Sequence, residues 1–137
     1  MKVIVIFEST RGRTKAMADA ICEGVTSSGK TCEVVDAKDF QSIDDICAIA
    51  VGSSTRMKRT LPKVRQVLSE ISSLEGVPAA AFGSFGWSGE APDVIAAELE
   101  KLGAKLLENQ PIKAKDYPNE EMLEKCKELG KSLANSC

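Results

Sequence analysis

Apolar runs of strand length alternate along this chain with stretches in which apolar residues recur at helical spacing. Residues 2–7, KVIVIF, form a near-continuous run rich in Val and Ile, the mark of a strand buried on both faces. A helix is expected from about 13 to 27, where Met17, Ile21 and Val25 recur every fourth residue. TCEVVDA (31–37) follows the turn residues SSGK and reads as a second strand, and ICAIAVG (46–52) as a third. The connection between them, containing KDFQSIDD, is the least regular part and is expected to hold only a short helix. Leu61, Val64, Leu68 and Ile71 mark the apolar face of a helix expected to end near Gly76.

VPAAAFG (77–83) reads as a fourth strand with small side chains, followed by a helix from about 90 to 102 with Ile95, Leu99 and Leu102 inward and Gly103 as its stop. The fifth strand is expected within 104–114, where Pro111 points to an edge position or an irregularity. Met122, Cys126, Leu129 and Leu133 mark the core face of a last helix, about 119–134. Five β-α units in 137 residues, with no repeat or linker, specify one α/β domain, 1–137, built on a doubly wound parallel sheet. Such sheets bind ligands beyond the carboxyl ends of their strands, where strand order reverses.

Composition narrows the chemistry. The chain has no histidine, which removes imidazole bases, Ser-His and Cys-His nucleophile pairs and nearly all catalytic zinc and iron sites, so no metal site is expected. Side chains alone are a poor source of chemistry here, and a bound cofactor is the natural alternative. A net charge of −2 supplies no global field for nucleic acid or membrane. The N-terminus is apolar for only a few residues before Glu8, too short for a signal peptide or a membrane span, and a cytoplasmic protein is expected. The five cysteines are odd in number, widely spaced and free of any C-x-x-C. They are therefore expected to be mostly small buried hydrophobes, with Cys137 the exposed thiol.

Three loops lie at the ligand-binding end. ESTRGRT (8–14) has Gly12 to permit positive φ, and Ser9, Thr10 and Thr14 where a helix begins, which is the make-up of an anion cradle. It is neither a Walker P-loop nor G-x-G-x-x-G. GSSTRMKRTLP (52–62) runs from small hydroxyls through a basic run to a helix-opening proline. FGSFGWSGEA (82–91) sets Phe85 and the only tryptophan, Trp87, among Gly83, Gly86 and Gly89. A bare indole on a glycine-rich loop suggests a flat partner. Each loop alone is also compatible with a capped helix start, a solvated loop or a packed Trp; their coincidence at one end describes an anion cradle, a polar rim and an aromatic wall around one crevice.

On these motifs the whole chain resembles the flavodoxins, short FMN-binding electron carriers, and most of all the flavodoxin-like domain at the C-terminus of A-type flavoproteins. Ser9, Gly12 and Thr14 match the family's [ST]-x-x-G-x-T phosphate loop; Gly52, Ser53, Thr55 and Pro62 match its second loop. FGSFGWSGEA matches the third-loop pattern F-G-S-Y-G-W-S-G-E-A at all but Phe85. The resemblance implies a flavodoxin-like three-layer sandwich with a five-stranded parallel sheet in the order 2-1-3-4-5. It implies FMN as cofactor, its phosphate held by Ser9, Thr10, Arg11, Gly12, Arg13 and Thr14. Ser53, Ser54, Thr55, Arg56, Met57 and Lys58 would line one side of the ring, with Trp87 stacked on it among Ser84, Phe85, Gly86 and Gly89. A response-regulator receiver, the competing ligand-binding use of this fold, lacks its phosphoryl-accepting Asp after strand three.

The departures from the family pattern share a sign. Arg11, Arg13, Arg56, Lys58 and Arg59 place five of the 18 basic residues at the crevice of a net acidic protein. Arg56 replaces a ring-stacking tyrosine, and Lys58 replaces a glycine whose peptide flips in the family as the flavin changes oxidation state; a lysine is expected to resist the positive φ involved. The expected function is an electron carrier between protein partners, acidic ones by charge complementarity, as a monomer or weak dimer. Two alternatives are an FMN-dependent NAD(P)H:quinone or flavin reductase, and a protein of this fold that has lost FMN and binds another phosphate-bearing ligand.

Overall fold

The computed structural model describes residues 1–137. The longer strands, in chain order, are β1 (Lys2–Glu8), β2 (Cys32–Asp36), β3 (Ile46–Ser53) and, after a short hairpin of β4 (Thr55–Arg56) and β5 (Arg59–Thr60), β6 (Pro78–Phe85). Two short strands, β7 (Lys105–Leu106) and β8 (Ile112–Lys115), complete it. The helices are α1 (Arg13–Ser27), α2 (Pro62–Glu70), α3 (Ala91–Lys101) and α4 (Glu120–Asn135). The sheet runs β2-β1-β3-β6-β7, with β8 also on β6 and every pairing parallel. β7 and β8 occupy the fifth strand position in two pieces, so the expected order holds.

Alternation along β1 explains the near-continuous apolar run. Val3, Val5 and Phe7 face α1 and α4 in one core cluster, while Ile4 and Ile6 face α2 and α3 in the other. The three central alanines of β6 split the same way: Ala80 joins the first cluster, Ala79 and Ala81 the second. α1 and α4 meet backbone to backbone at two glycines. A Cβ on Gly24 would strike the carbonyl of Lys127, and one on Gly130 the carbonyl of Ile21.

Several expectations need correction. α2 stops at Glu70 rather than near Gly76. Ile71 is extended (φ −79°, ψ 120°), and the two serines that follow compete for backbone bonds: Ser73 Oγ accepts the Glu75 N–H (3.2 Å). Leu74 and Gly76 then donate to Leu102 and Gly103 across the sheet's edge (2.8 and 3.0 Å). The irregular connection after β2 holds only a 3₁₀ turn, Ala37–Asp39, as expected. The fifth strand is broken around Pro111, whose peptide bond with Gln110 is cis. The Gln110 side chain fills the break by accepting the Ala81 N–H (3.2 Å).

The cysteine expectation holds for burial, since Cys22 and Cys126 are buried and Cys32 and Cys47 pack half-buried against the first core cluster, and fails for bonding. Cys22 is joined to Cys32, and Cys47 to Cys137, with Cα separations of 5.5 and 5.0 Å. Linear spacing concealed this because the end of α1 returns to the start of β2, and the chain terminus returns to the start of β3. Cys137 is thus not a free thiol. Cys126 alone is unpaired, and its burial pushes the thiol up to about 12. Both bridges lie at the amino ends of strands, leaving the opposite, carboxyl end free of them. No helix is long and apolar enough to cross a membrane.

Candidate functional site

All four helices begin at the carboxyl end of the sheet, and three of them have their first turns satisfied from within the chain. The Val64 N–H of α2 donates to Glu8 Oε1 (2.9 Å), the Ala91 N–H of α3 to Thr55 Oγ1 (3.0 Å), and the Met122 N–H of α4 to Asn119 Oδ1 (2.9 Å). α1 differs. Its N-cap is Gly12, at φ 79°, with no capping side chain and no acid in its first turn. Its free N–H groups and positive dipole end open onto Ser9–Gly12. Ser9 Oγ beside them is buried without a hydrogen-bond partner in the protein.

Three hydroxyls from three loops meet beneath this cradle. Thr14 Oγ1 lies 2.8 Å from Ser84 Oγ and 3.0 Å from Ser54 Oγ, and Ser54 and Ser84 are 3.4 Å apart. Thr14 and Ser84 are buried. Ser53 has a different task. Its hydroxyl donates to the Ser54 carbonyl (2.7 Å) and accepts the Leu61 N–H (3.0 Å), cinching the two ends of the second loop. Thr10 and Arg11 are exposed on the cradle's outer side.

The second loop is a β-hairpin, which the sequence reading did not anticipate. Thr55 pairs with Thr60 and Arg56 with Arg59, so Met57 and Lys58 form a two-residue turn. Both have positive φ, 51° and 63°. Such turns favour Asn-Gly, and Met-Lys gave no signal. The expectation that lysine resists positive φ is corrected: Lys58 adopts it, at a cost of about 1–2 kcal/mol for a residue with a Cβ. Arg56, Met57, Lys58 and Arg59 are all exposed, and the three cations have no acidic partner within 4.0 Å.

In the third loop, β6 runs on through Ser84 and Phe85. Gly83 is required by the protein's own packing, and Gly89 sits tight against it. A Cβ on Gly83 would meet the Ser53 carbonyl, and one on Gly89 would lie 3.0 Å from the Phe85 ring. Phe85 is therefore engaged inside its own loop. A Cβ on Gly86 would meet Asp116 Oδ1 at 3.9 Å, an ordinary contact, while Trp87 is 94% exposed, as Met57 is 87% exposed on the hairpin. Two large apolar side chains are thus held in solvent at one end of the sheet.

A fourth loop, missed by the sequence reading, completes this end. Asp116 sits between loops one and three: its N–H donates to the Phe85 carbonyl (2.7 Å), and its Oδ1 lies 3.7 Å from Arg13 Nη1. Arg13 is thus tied sideways to loop four. Thr60 Oγ1 and Glu90 Oε1, like Ser9 Oγ, are buried and unpartnered, so every such side-chain oxygen lies on the crevice loops. KDYPNE (115–120) joins the expected fifth strand to the last helix, and nothing in it signalled proximity to loop one.

The arrangement defines a doubly wound protein with an anion cradle, a hydroxyl floor and exposed apolar walls at its switch point. The flavodoxin family model matches residues 5–130. A solved archaeal flavodoxin is 38% identical and superposes with a TM-score of 0.92, covering 98% of this chain and 97% of that one. The rubredoxin oxygen:oxidoreductase of Desulfovibrio gigas is 30% identical with a TM-score of 0.93, over 98% of this chain but 35% of its own. An uncharacterised protein of Methanocaldococcus jannaschii is 30% identical over 98% of this chain and 36% of its length. The chain belongs to the flavodoxin family.

The family's cofactor is FMN, and the residues present suit it. A bare helix N-terminus beside an orphaned buried hydroxyl fits a phosphate monoester. Exposed Trp87 and Met57 fit a planar, largely apolar ring.

Proposed function

We propose that this chain is an FMN-binding electron carrier whose docking face selects acidic protein partners. The observation that carries FMN binding is the uncapped first turn of α1 next to Ser9. A phosphate there would be held by the backbone N–H groups of Arg13 and its neighbours and by the Ser9 hydroxyl, while Thr14, Ser54 and Ser84 hold the cradle on the ends of β3 and β6. Trp87 and the Arg56–Lys58 turn would flank the ring and exclude water from its faces. Bound FMN supplies one- and two-electron transfer; the protein supplies binding, orientation and charge.

Charge supports the choice of partner. Arg11, Arg56, Lys58 and Arg59 have no ion-pair partner at this end of a chain whose net charge is −2. They steer anionic surfaces toward the flavin. The curated relatives named by activity include an anaerobic nitric oxide reductase flavorubredoxin of Escherichia coli, of which this chain spans 29%. The chain spans about a third or less of such relatives, and their activities need more than this unit. The basic hairpin also fits a second anionic ligand, such as a reduced nicotinamide nucleotide.

Reoxidation of the dithionite-reduced, FMN-loaded protein by ferricyanide, an anionic oxidant, tests the charge reading. The rate should fall as salt rises. A rate that is flat or rises with salt overturns it. Turnover of NADH or NADPH with a quinone would favour the reductase instead.

A further inference from the structure

Three large hydrophobic side chains are exposed on the loops at the crevice end: Met57, Trp87 and Tyr117. FMN accounts for the first two. Tyr117, on loop four, is 62% exposed and is left over. The loop that carries it is not slack. Asp116 at φ 58° ties it to the Phe85 carbonyl and to Arg13, and Pro118 behind it is buried. A fixed, exposed aromatic beside a cofactor crevice has the properties of an interface anchor: large area and little entropy left to lose.

The charge around it has a direction. Lys115, exposed and without an ion-pair partner, ends β8 opposite Phe85 of loop three, and Arg11 and the basic hairpin stand unpaired on the other loops of the same end; Asp116 is offset by Arg13. On the far side the first turn of α4 carries Glu120 and Glu121, both exposed. An acidic partner is thus drawn toward the crevice and repelled from α4, with Tyr117 on the boundary. We propose that loop four, through Tyr117 and Lys115, is the docking contact that seats an acidic protein electron carrier over the flavin. This rests on the electron-carrier reading above and adds a contact outside the cofactor pocket.

The probe is an acidic rubredoxin. In stopped flow, one electron passes from the dithionite-reduced FMN protein to each ferric rubredoxin, leaving ferrous iron, and two rubredoxins fully reoxidise one flavin. Tyr117→Ala and Lys115→Glu should each slow this reaction by about five- to twentyfold at low salt. Glu121→Lys should speed it. FMN quenching of Trp87 and the rate with ferricyanide should stay unchanged in Tyr117→Ala, since a small oxidant needs no anchor. If FMN binds all variants alike and the rubredoxin rates do not move, loop four is not the docking contact. If the unsubstituted protein does not take FMN, the carrier reading itself fails, and this proposal with it.

Discussion

Thr14 Oγ1 lies 2.8 Å from Ser84 Oγ, joining the first turn of the phosphate-cradle helix to the last residues of the central strand β6. With Ser54 at 3.0 Å, this contact makes one rigid object of three loops distant in sequence. Thr14→Val would take one partner from the buried Ser84 and one from the half-buried Ser54, leaving them only each other at 3.4 Å, at a cost of about 1–3 kcal/mol. Thermal or urea unfolding should show that destabilisation, and FMN affinity should fall by about tenfold or more as the cradle loosens. An unchanged affinity in a destabilised variant would confine the triad to a structural role.

Lys58 at φ 63° carries strain that a glycine would not. Lys58→Gly should stabilise the apoprotein by roughly 0.5–1 kcal/mol, the relief of left-handed strain being partly offset by the greater chain entropy of glycine. A two-state denaturant titration is sufficient to see it. Destabilisation would mean that the lysine side chain contributes more to the hairpin than its backbone costs.

The hairpin cations should also raise the flavin potential, because reduction places negative charge on the ring. A unit charge about 6 Å from a developing anion contributes about 30–120 mV as the effective dielectric falls from 80 to 20. Arg56→Glu with Lys58→Glu should therefore lower the potential, and added salt should shrink the difference. Potentiometric titration of the pair at two salt concentrations reads both effects; equal potentials would show that these exposed side chains are fully screened.

The two disulfides close segments of 10 and 90 residues at the end of the sheet away from the crevice. On the chain-entropy account they contribute about 2.7 and about 4.6 kcal/mol respectively. Reduction by a phosphine under native conditions should lower the unfolding midpoint markedly, with the larger share from Cys47–Cys137. FMN affinity should hardly change, since neither bridge touches a ligand loop. Cys126, buried with a raised pKa, should resist alkylation until the protein unfolds.

Much of this was legible in the amino-acid order. The run KVIVIF placed β1 because burial on two faces leaves a continuous apolar run, and the fourfold spacing of Met17, Ile21 and Val25 and the inward Ile95 and Leu99 placed α1 and α3 because burial of one helix face leaves a periodic trace. Ser9, Gly12, Thr14 and Trp87 stood out because hydroxyls, a glycine and a bare indole coincide on loops at one end of a parallel sheet. What was hidden depended on contacts distant in sequence. Met57 and Lys58 form a turn that local propensity disfavours, held by Ser53 and Thr55. Gln110 repairs a broken strand through a side-chain bond. Asp116 and Tyr117 reach the crevice only because β8 pairs with β6. The cysteines pair because helix and strand ends coincide in space.

The central claim is that the crevice between the uncapped α1 and exposed Trp87 holds FMN. The chain's single tryptophan makes fluorescence a one-site readout. Titration of the apoprotein with FMN should quench Trp87 strongly, saturate at one equivalent and give a Kd below about 1 μM. Trp87 fluorescence unmoved by FMN would contradict the account and leave this fold with a crevice remade for another ligand.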